Sequence, residues 1–272
     1  MGRNTCRLRQ KIILSSTKCI LMIKFEPIYL RCPQCNSWLE GHKLRSEMVN
    51  SSILYSDGKT LNDDYIITPQ KIIICPACSH WFWIEHYEEP AITTTKPTEW
   101  CYGWNTWRFF GVHFASNEGK TALIEHYKSF LTSIHNIERE IYLRRMLWWA
   151  YNDLVRNFYQ ASWNYLFSGE MSFNVWRKNR NKIFKGMWLF RHYHEEYIDN
   201  CIALLRLVEN RYSPSDDEYE RSILEIMELY RETGQYGKAQ EILDKVPRRT
   251  HYIANIEKKV KQKKDFVFLV VG

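Results

Sequence analysis

Residues 72–84 read IIICPACSHWFWI. Three isoleucines lead into Cys75-Pro76-Ala77-Cys78, and His80 to Ile84 then alternates in strand fashion. The pattern is strand, tight turn, strand. Such a turn makes two thiols converge, and a proline inside it fixes one backbone angle. The same device occurs earlier, where FEPIYLR (25–31) runs into Cys32-Pro33-Gln34-Cys35. Two knuckles supply four thiolates, the closed tetrahedral set of one structural zinc ion. A closed set leaves no position for a reactive water. A redox dithiol would need one pair at the opening of a helix in a βαβ unit, and neither pair has that setting. An iron–sulfur site and His80 as a replacement ligand are the other readings; otherwise His80 is an exposed polar residue beside the knuckle.

The spacing between the pairs is unusual. Ordinary zinc ribbons separate them by about 15–20 residues; here 39 residues, 36 to 74, intervene. Residues 54–73, LYSDGKTLNDDYIITPQKII, carry a turn signal at Asp57-Gly58. An extra hairpin or loop is therefore expected between the knuckles. The aromatic strand after Cys78 either caps a small core or stacks nucleic-acid bases. Asp57, Asp63, Asp64, Glu85, Glu88 and Glu89 around it favour the core, because acidic neighbours repel phosphate.

The chain has 272 residues, 45% hydrophobic, 15% aromatic and 25% charged, with only 11 glycines and 8 prolines. This composition is globular and excludes collagenous or disordered classes. The formal charge is +7. Arg3, Arg7, Arg9, Lys11 and Lys18 precede Met22 with no acid among them; without them 33 basic residues face 31 acidic ones. Without Lys258, Lys259, Lys261, Lys263 and Lys264 as well, 28 face 31. The body is thus near neutral, which disfavours nucleic acid as a partner. Residues 1–24 read as a leader, disordered or mis-started, with Met22 as an alternative start. The apolar run there is broken at Ser15 to Lys18 and lacks a signal-peptide cleavage site. No run of 18 apolar residues would span a membrane. A soluble cytoplasmic protein is expected, its paired cysteines binding metal in a reducing compartment.

Residues 91–118 form a Thr-, Pro- and Trp-rich linker, packed through Trp100, Trp104, Trp107, Phe109 and Phe110. Helical periodicity follows. Leu123, Tyr127, Phe130, Leu131 and Ile134 recur at helix spacing, as do Leu143, Leu147, Ala150, Leu154 and Phe158. Glu140 and Arg144 form an i,i+4 pair. LWWAYND (147–153) sets Trp148 and Trp149 on adjacent flanks of one helix. These two, with Asn152, Asp153 and Arg156, are either partner contacts or a packing wedge between helices. Residues 159–196 interleave Arg177, Lys178, Arg180, Lys182 and Lys185 with Trp176, Phe184 and Trp188. That run reads as a solvated helix face with apolar residues behind it, or as a nucleic-acid contact. His192, His194, Glu195 and Glu196 look like a metal cluster, but His-x-His on a helix splays its rings apart.

Ile198 to Val208 is apolar nearly all round, as in a buried helix. Ser213 to Asp216 break the chain and cap the next helix. Residues 218–246 read as two helices joined at Thr233-Gly234-Gln235, burying Ile223, Ile226, Met227 and Tyr230 on one side and Ala239, Leu243 and Val246 on the other. Residues 229–246, LYRETGQYGKAQEILDKV, resemble a tetratricopeptide helix pair: Gly234, Tyr236, Ala239 and Leu243 fall where that repeat has its turn glycine, aromatic, small and large residues. Met227 and the early Pro247 depart from it. More broadly, the order CPxC, YSDGK, CPxC with an aromatic strand, LWWAYND and a GxYxxA helix pair resembles a family of uncharacterised bacterial zinc-ribbon proteins with a tetratricopeptide-like helical half. The resemblance spans residues 28–246. It implies an architecture and no activity.

The expected architecture is α+β, mostly α. A small zinc-ribbon-like β module (25–90) and the linker precede an α-helical, tetratricopeptide-like domain (119–260) and a tail (261–272). The apolar hexamer Phe266 to Val271 is expected to pair with a sheet edge or bury itself, since exposed it would aggregate. The expected function is a zinc-stabilised protein-interaction or scaffold protein with a protein or peptide partner, or else a nucleic-acid-binding zinc-ribbon protein. No Ser/His/Asp grouping, phosphate-cradling glycine loop or spaced carboxylate pair points to an enzyme.

Overall fold

A computed structural model describes residues 25–44, 52–62, 71–84, 92–103, 116–156, 158–167, 169, 172–209, 211, 219–246 and 250–271. The leader, Trp104 to Phe110 of the linker, the expected cap at Ser213 to Asp216, and Pro247 lie outside the described residues; Trp100, expected to pack the linker, is instead 80% exposed.

The architecture is mostly helical, with small sheets in the N-terminal part. Strands β1 (Phe25–Arg31) and β2 (Trp38–Leu44) form an antiparallel hairpin, and β7 (Cys101–Gly103) adds to β2 in parallel. Strands β5 (Ile72–Ile74) and β6 (Trp81–Trp83) form a second hairpin. A third, β3 (Ser52–Tyr55) with β4 (Thr60–Asn62), lies between the knuckles in sequence and turns at Gly58, whose φ of 75° suits a residue without a Cβ. The C-terminal hexamer supplies β8 (Leu269–Val271), which pairs antiparallel with β3. An exposed edge is thereby covered by the segment that would otherwise aggregate.

The helices are α1 (Asn117–Leu131), α2 (Ile137–Asp153), α3 (Trp163–Phe167), α4 (Phe173–His192), α5 (His194–Val208), α6 (Tyr219–Glu232), α7 (Tyr236–Lys245) and α8 (His251–Lys261). Local chemistry sets their ends. The Ser116 hydroxyl accepts from the Gly119 amide, the Asn136 side-chain Oδ1 from the amides of Glu138 and Arg139, and the Thr250 hydroxyl from the Ile253 amide. Between α6 and α7, Gly234 is left-handed at φ 75°, its amide donates to Arg231 O, and the Gln235 amide donates to Tyr230 O at 2.8 Å. This is the Schellman stop that the Thr233-Gly234-Gln235 sequence calls for.

Helices α1, α2, α5, α6, α7 and α8 pack in succession, while α3 and α4 lie to one side. The main core gathers Leu143, Leu147, Trp148, Ala150, Leu204, Met227, Ala239 and Leu243, with Ile256 of α8. Phe158 departs from its expected place and is 46% exposed. Helix α2 ends at Asp153, so its periodicity no longer governs a residue five positions on. A smaller core joins Ile28, Leu30, Leu39, Ile73 and Ile84 to Cys32 and Cys75. Strand alternation divides β5–β6 between the two: Ile73 and Phe82 face the small core, Ile72, Trp81 and Trp83 the large one. Trp81 packs on Phe130 and His126, and Trp83 on Phe130 and Tyr142. The aromatic strand therefore ties the cysteine hairpins to α1 and α2, which commits its two tryptophans to packing. No helix among the described residues is long and apolar enough to cross a membrane.

Candidate metal centre

Cys32 and Cys35 occupy the β1–β2 turn, Cys75 and Cys78 the β5–β6 turn. The two turns are built alike. The Cys32 amide donates to Ser37 O and Asn36 N–H to Cys32 O; the Cys75 amide donates to His80 O and Ser79 N–H to Cys75 O. Asn36 and Ser79, each directly after a knuckle, are left-handed at φ 58° and 60°. Asparagine tolerates this conformation best among residues with a Cβ; the serine repeats it at the same place in the second turn.

The turns face each other across the small core. Cys32 Sγ lies 3.7 Å from Cys78 Sγ, Cys35 Sγ lies 3.6 Å from Cys75 Sγ, and all four sulfurs fall within 4.8 Å of one another. A disulfide needs about 2.05 Å. A tetrahedral ion with Zn–S bonds near 2.3 Å places its sulfurs about 3.8 Å apart. The donor set thus fits a closed four-thiolate site. His80 is not part of the cluster; its ring stacks on Phe82. Nor do His192 and His194 join a metal-binding group among the described residues.

The thiols are electrostatically unequal. The Ser37 hydroxyl and amide draw the Cys35 thiol down to about 6. Burial pushes Cys75 up to about 12, against the pull of the Cys78 and Ala77 amides. Cys32 and Cys75 are buried, Cys35 and Cys78 exposed. One diagonal of the site is sheltered and the other faces water, so an ion here is anchored from inside and reachable from outside.

Trp148, Trp149, Asn152, Asp153 and Arg156 do come together, but in the interior. They close on the YSDGK turn. Arg156 donates through Nη1 and Nη2 to the two carboxylate oxygens of Asp57, at 2.9 and 2.6 Å, and through Nε to Asp153 at 2.7 Å. Lys59 Nζ reaches the other Asp153 oxygen at 2.6 Å, and Lys120 Nζ donates to the Asp153 carbonyl at 2.7 Å. Trp149 Nε1 donates to the Asp57 carbonyl. Asn152 bridges Asp57 and Glu232, and Trp148 Nε1 and Tyr197 Oη each donate to Glu232 at 2.6 Å. Arg231 pairs with Glu228 and Glu232 and ties down the tail through the Lys264 and Phe266 carbonyls. Four cations (Lys59, Lys120, Arg156, Arg231) thus face four carboxylates (Asp57, Asp153, Glu228, Glu232), all buried. The side chains expected to meet a partner meet one another, because α2 turns its polar last turn inward against the hairpin.

This setting shifts the acids in opposite senses. Burial alone would raise Asp153, but Lys59, then Arg156 and Lys120, hold it well below the usual carboxylate range. Glu232 is pushed up to about 7 by burial, against Arg231 and with Glu228 and Asp57 adding to the rise. Burial likewise raises Glu228 and lowers Lys59. Asp57, expected to add negative charge beside the aromatic strand, is neutralised by Arg156. The other five acids of that set lie outside the described residues. Sequence reasoning missed Lys59, Lys120, Glu228, Arg231 and Glu232 as core groups. The one available signal was in LEIMELYRE (224–232), where the residues between the apolar positions include an arginine with glutamates one and three positions away.

Comparison with known proteins adds no relationship: no family model, no curated protein and no solved structure matches the chain.

Proposed function

We propose that the chain is a zinc-stabilised protein-interaction or scaffold protein, with one structural zinc on Cys32, Cys35, Cys75 and Cys78. The closed four-thiol geometry carries this reading: four protein donors fill a tetrahedral ion and leave it a fastening role. The succession of packed helices α1, α2, α5, α6, α7 and α8 supports a helical-repeat scaffold, with α6–α7 as its tetratricopeptide-like pair. Gly234 in the turn and the buried Ala239 and Leu243 are in keeping with that pair. Zinc would hold the two hairpins together, and Trp81 and Trp83 would transmit that order to α1 and α2. Proximity labelling with the full chain tests it. A reproducible set of neighbouring proteins, lost with Cys32→Ser, is expected; no set above the background of the label alone would refute it.

A second reading, nucleic-acid binding, is favoured by one observation. Of the two readings of residues 159–196, a solvated basic face would keep its apolar residues behind it. Trp176 and Phe190 are buried, but Phe184 and Trp188 share the outer face with the arginines. On the opposite side α4 comes close to α2 at Gly186, where a Cβ would sit 2.3 Å from the Leu154 carbonyl oxygen.

A further inference from the structure

Helix α4 carries Arg177, Lys178, Arg180, Lys182, Lys185 and Arg191 and no acid. On other helices several cations have a carboxylate within reach: Arg144 with Glu140, Arg145 with Glu225, Lys261 with Glu257. On α4 only Lys185 has a carboxylate, Glu118, among the described residues. Positions 173, 177, 180, 184, 188 and 191 fall on one stripe at helical spacing. The stripe reads Phe, Arg, Arg, Phe, Trp, Arg. Phe173, Phe184 and Trp188 on it are 53%, 45% and 66% exposed. Trp163 and Phe167 of α3, also exposed, extend it sideways: Trp163 lies 4.6 Å from the Trp176 ring and 6.2 Å from Phe167. Arg180 sits among the rings of Trp163, Trp176 and Phe184 at 5.0–5.5 Å, and its Nε is buried with no acceptor.

We infer that this α3–α4 face binds single-stranded nucleic acid, with Trp188, Phe184 and Trp163 as base-stacking platforms and Arg177, Arg180 and Arg191 taking phosphates. The inference rests on the nucleic-acid reading and assigns it a site. Interleaved exposed rings and unpaired guanidiniums are the chemistry by which single strands are held without sequence preference. Duplex would leave the rings idle, since its bases are already stacked. A membrane surface fits less well: an interfacial helix segregates its apolar and charged faces, whereas here arginines interrupt the aromatic stripe. A second copy docking face to face would set two acid-free basic helices against each other. The near-neutral net charge of the body hides this helix, because its excess is offset by acids distributed elsewhere.

The test is fluorescence anisotropy of the full zinc-loaded chain with a labelled oligothymidylate of about 20 nucleotides, longer than a typical single-strand site, in about 50 mM salt, where phosphate contacts are well expressed. Saturable binding is expected, with a log–log salt slope of about −0.7 for each phosphate neutralised. Trp188→Ala with Phe184→Ala should weaken it about 30-fold or more, since two stacked bases are lost from the complex. Arg177→Gln with Arg191→Gln should flatten the slope by about 1.4. Both pairs are on the surface, and unchanged circular dichroism and zinc content will show that they fold. No binding at this salt would overturn the inference. So would binding unchanged in both double variants, which would move the contact to the lysines of 258–264 or the arginines before Met22. Sedimentation with anionic vesicles, association into dimers through this face, or capture of an acidic protein, each without oligonucleotide binding, would also refute it. None of these outcomes touches the labelling test of the scaffold reading, so the two fail separately.

Discussion

Replacing Asp57 by alanine removes the anchor of a fully buried ion pair. Arg156 loses two hydrogen bonds, at 2.9 and 2.6 Å, and keeps only Asp153, which Lys59 and Lys120 already occupy. Arg156 and Lys59 would then share one buried carboxylate, with Lys120 beside it on the main-chain carbonyl of the same residue. Breaking such a pair from one side costs about 3–5 kcal/mol, because the remaining charge is left uncompensated. In a chain of this size the melting temperature should fall by on the order of 10 °C. Arg156→Met should cost a similar amount, stranding Asp57. The double variant is the informative one. With Arg156 gone, Asp153 keeps Lys59, and Asn152 keeps Glu232. A methionine fills much of the guanidinium's volume, so the double change should cost less than either single one alone. The expected coupling is about 3 kcal/mol or more in a urea-denaturation cycle followed by tryptophan fluorescence. Additive losses would refute the reasoning, for they would mean that each side chain acts through packing alone and that the pair is not the joint between the YSDGK turn and α2.

Glu232 gives a pH signature. Its folded value of about 7 stands above the ordinary 4.5, so its contribution to stability is full below pH 4.5 and is lost as pH rises through 7. The loss is of order 3 kcal/mol, and Glu232→Gln should flatten it in denaturation series between about pH 5 and 8; an unchanged slope would place the proton elsewhere. Asp153 runs the opposite way, stabilising above its ordinary 3.8 and failing as pH falls. Gly186→Ala should push α4 off the Leu154 carbonyl at a cost of about 1–3 kcal/mol, read as faster amide exchange in 173–192 with α6 and α7 unchanged. A variant as protected as the parent would contradict the close approach.

The parts of the molecule that were legible beforehand are those set by local chemistry. A Cys-Pro-x-Cys turn after a strand is a short-range object, so both knuckles, their pairing and their donor set follow from spacing. Asp57-Gly58 marked a turn, Gly234 a helix stop, and Phe266 to Val271 a strand needing an edge, for the same reason. The ion network was not legible. Its members come from 57–59, 120, 152–156 and 228–232, and only tertiary packing joins them. Charged residues read as solvated by default, and Glu228, Arg231 and Glu232 mimic an ordinary surface i,i+3 pair. The α4 stripe failed differently. Periodicity shows which residues share a face, but not whether that face looks inward. Sequence alone therefore leaves Trp188 open between backing and outer face, and Gly186, the residue that lets α4 lie with its other side against Leu154, gives no hydrophobic signal.

In the proposed reading four thiolates from two hairpins hold one zinc ion. Elemental analysis of the purified full chain, combined with counting of reactive thiols before and after chelation, tests it most directly. About one zinc per chain is expected. Four of the eight cysteines should gain reactivity on chelation, together with loss of order in the β1–β2 and β5–β6 hairpins. Cys32→Ser or Cys75→Ser should lose the metal and the same order. Metal-free protein that is fully folded, with all four knuckle thiols already reactive, would contradict it.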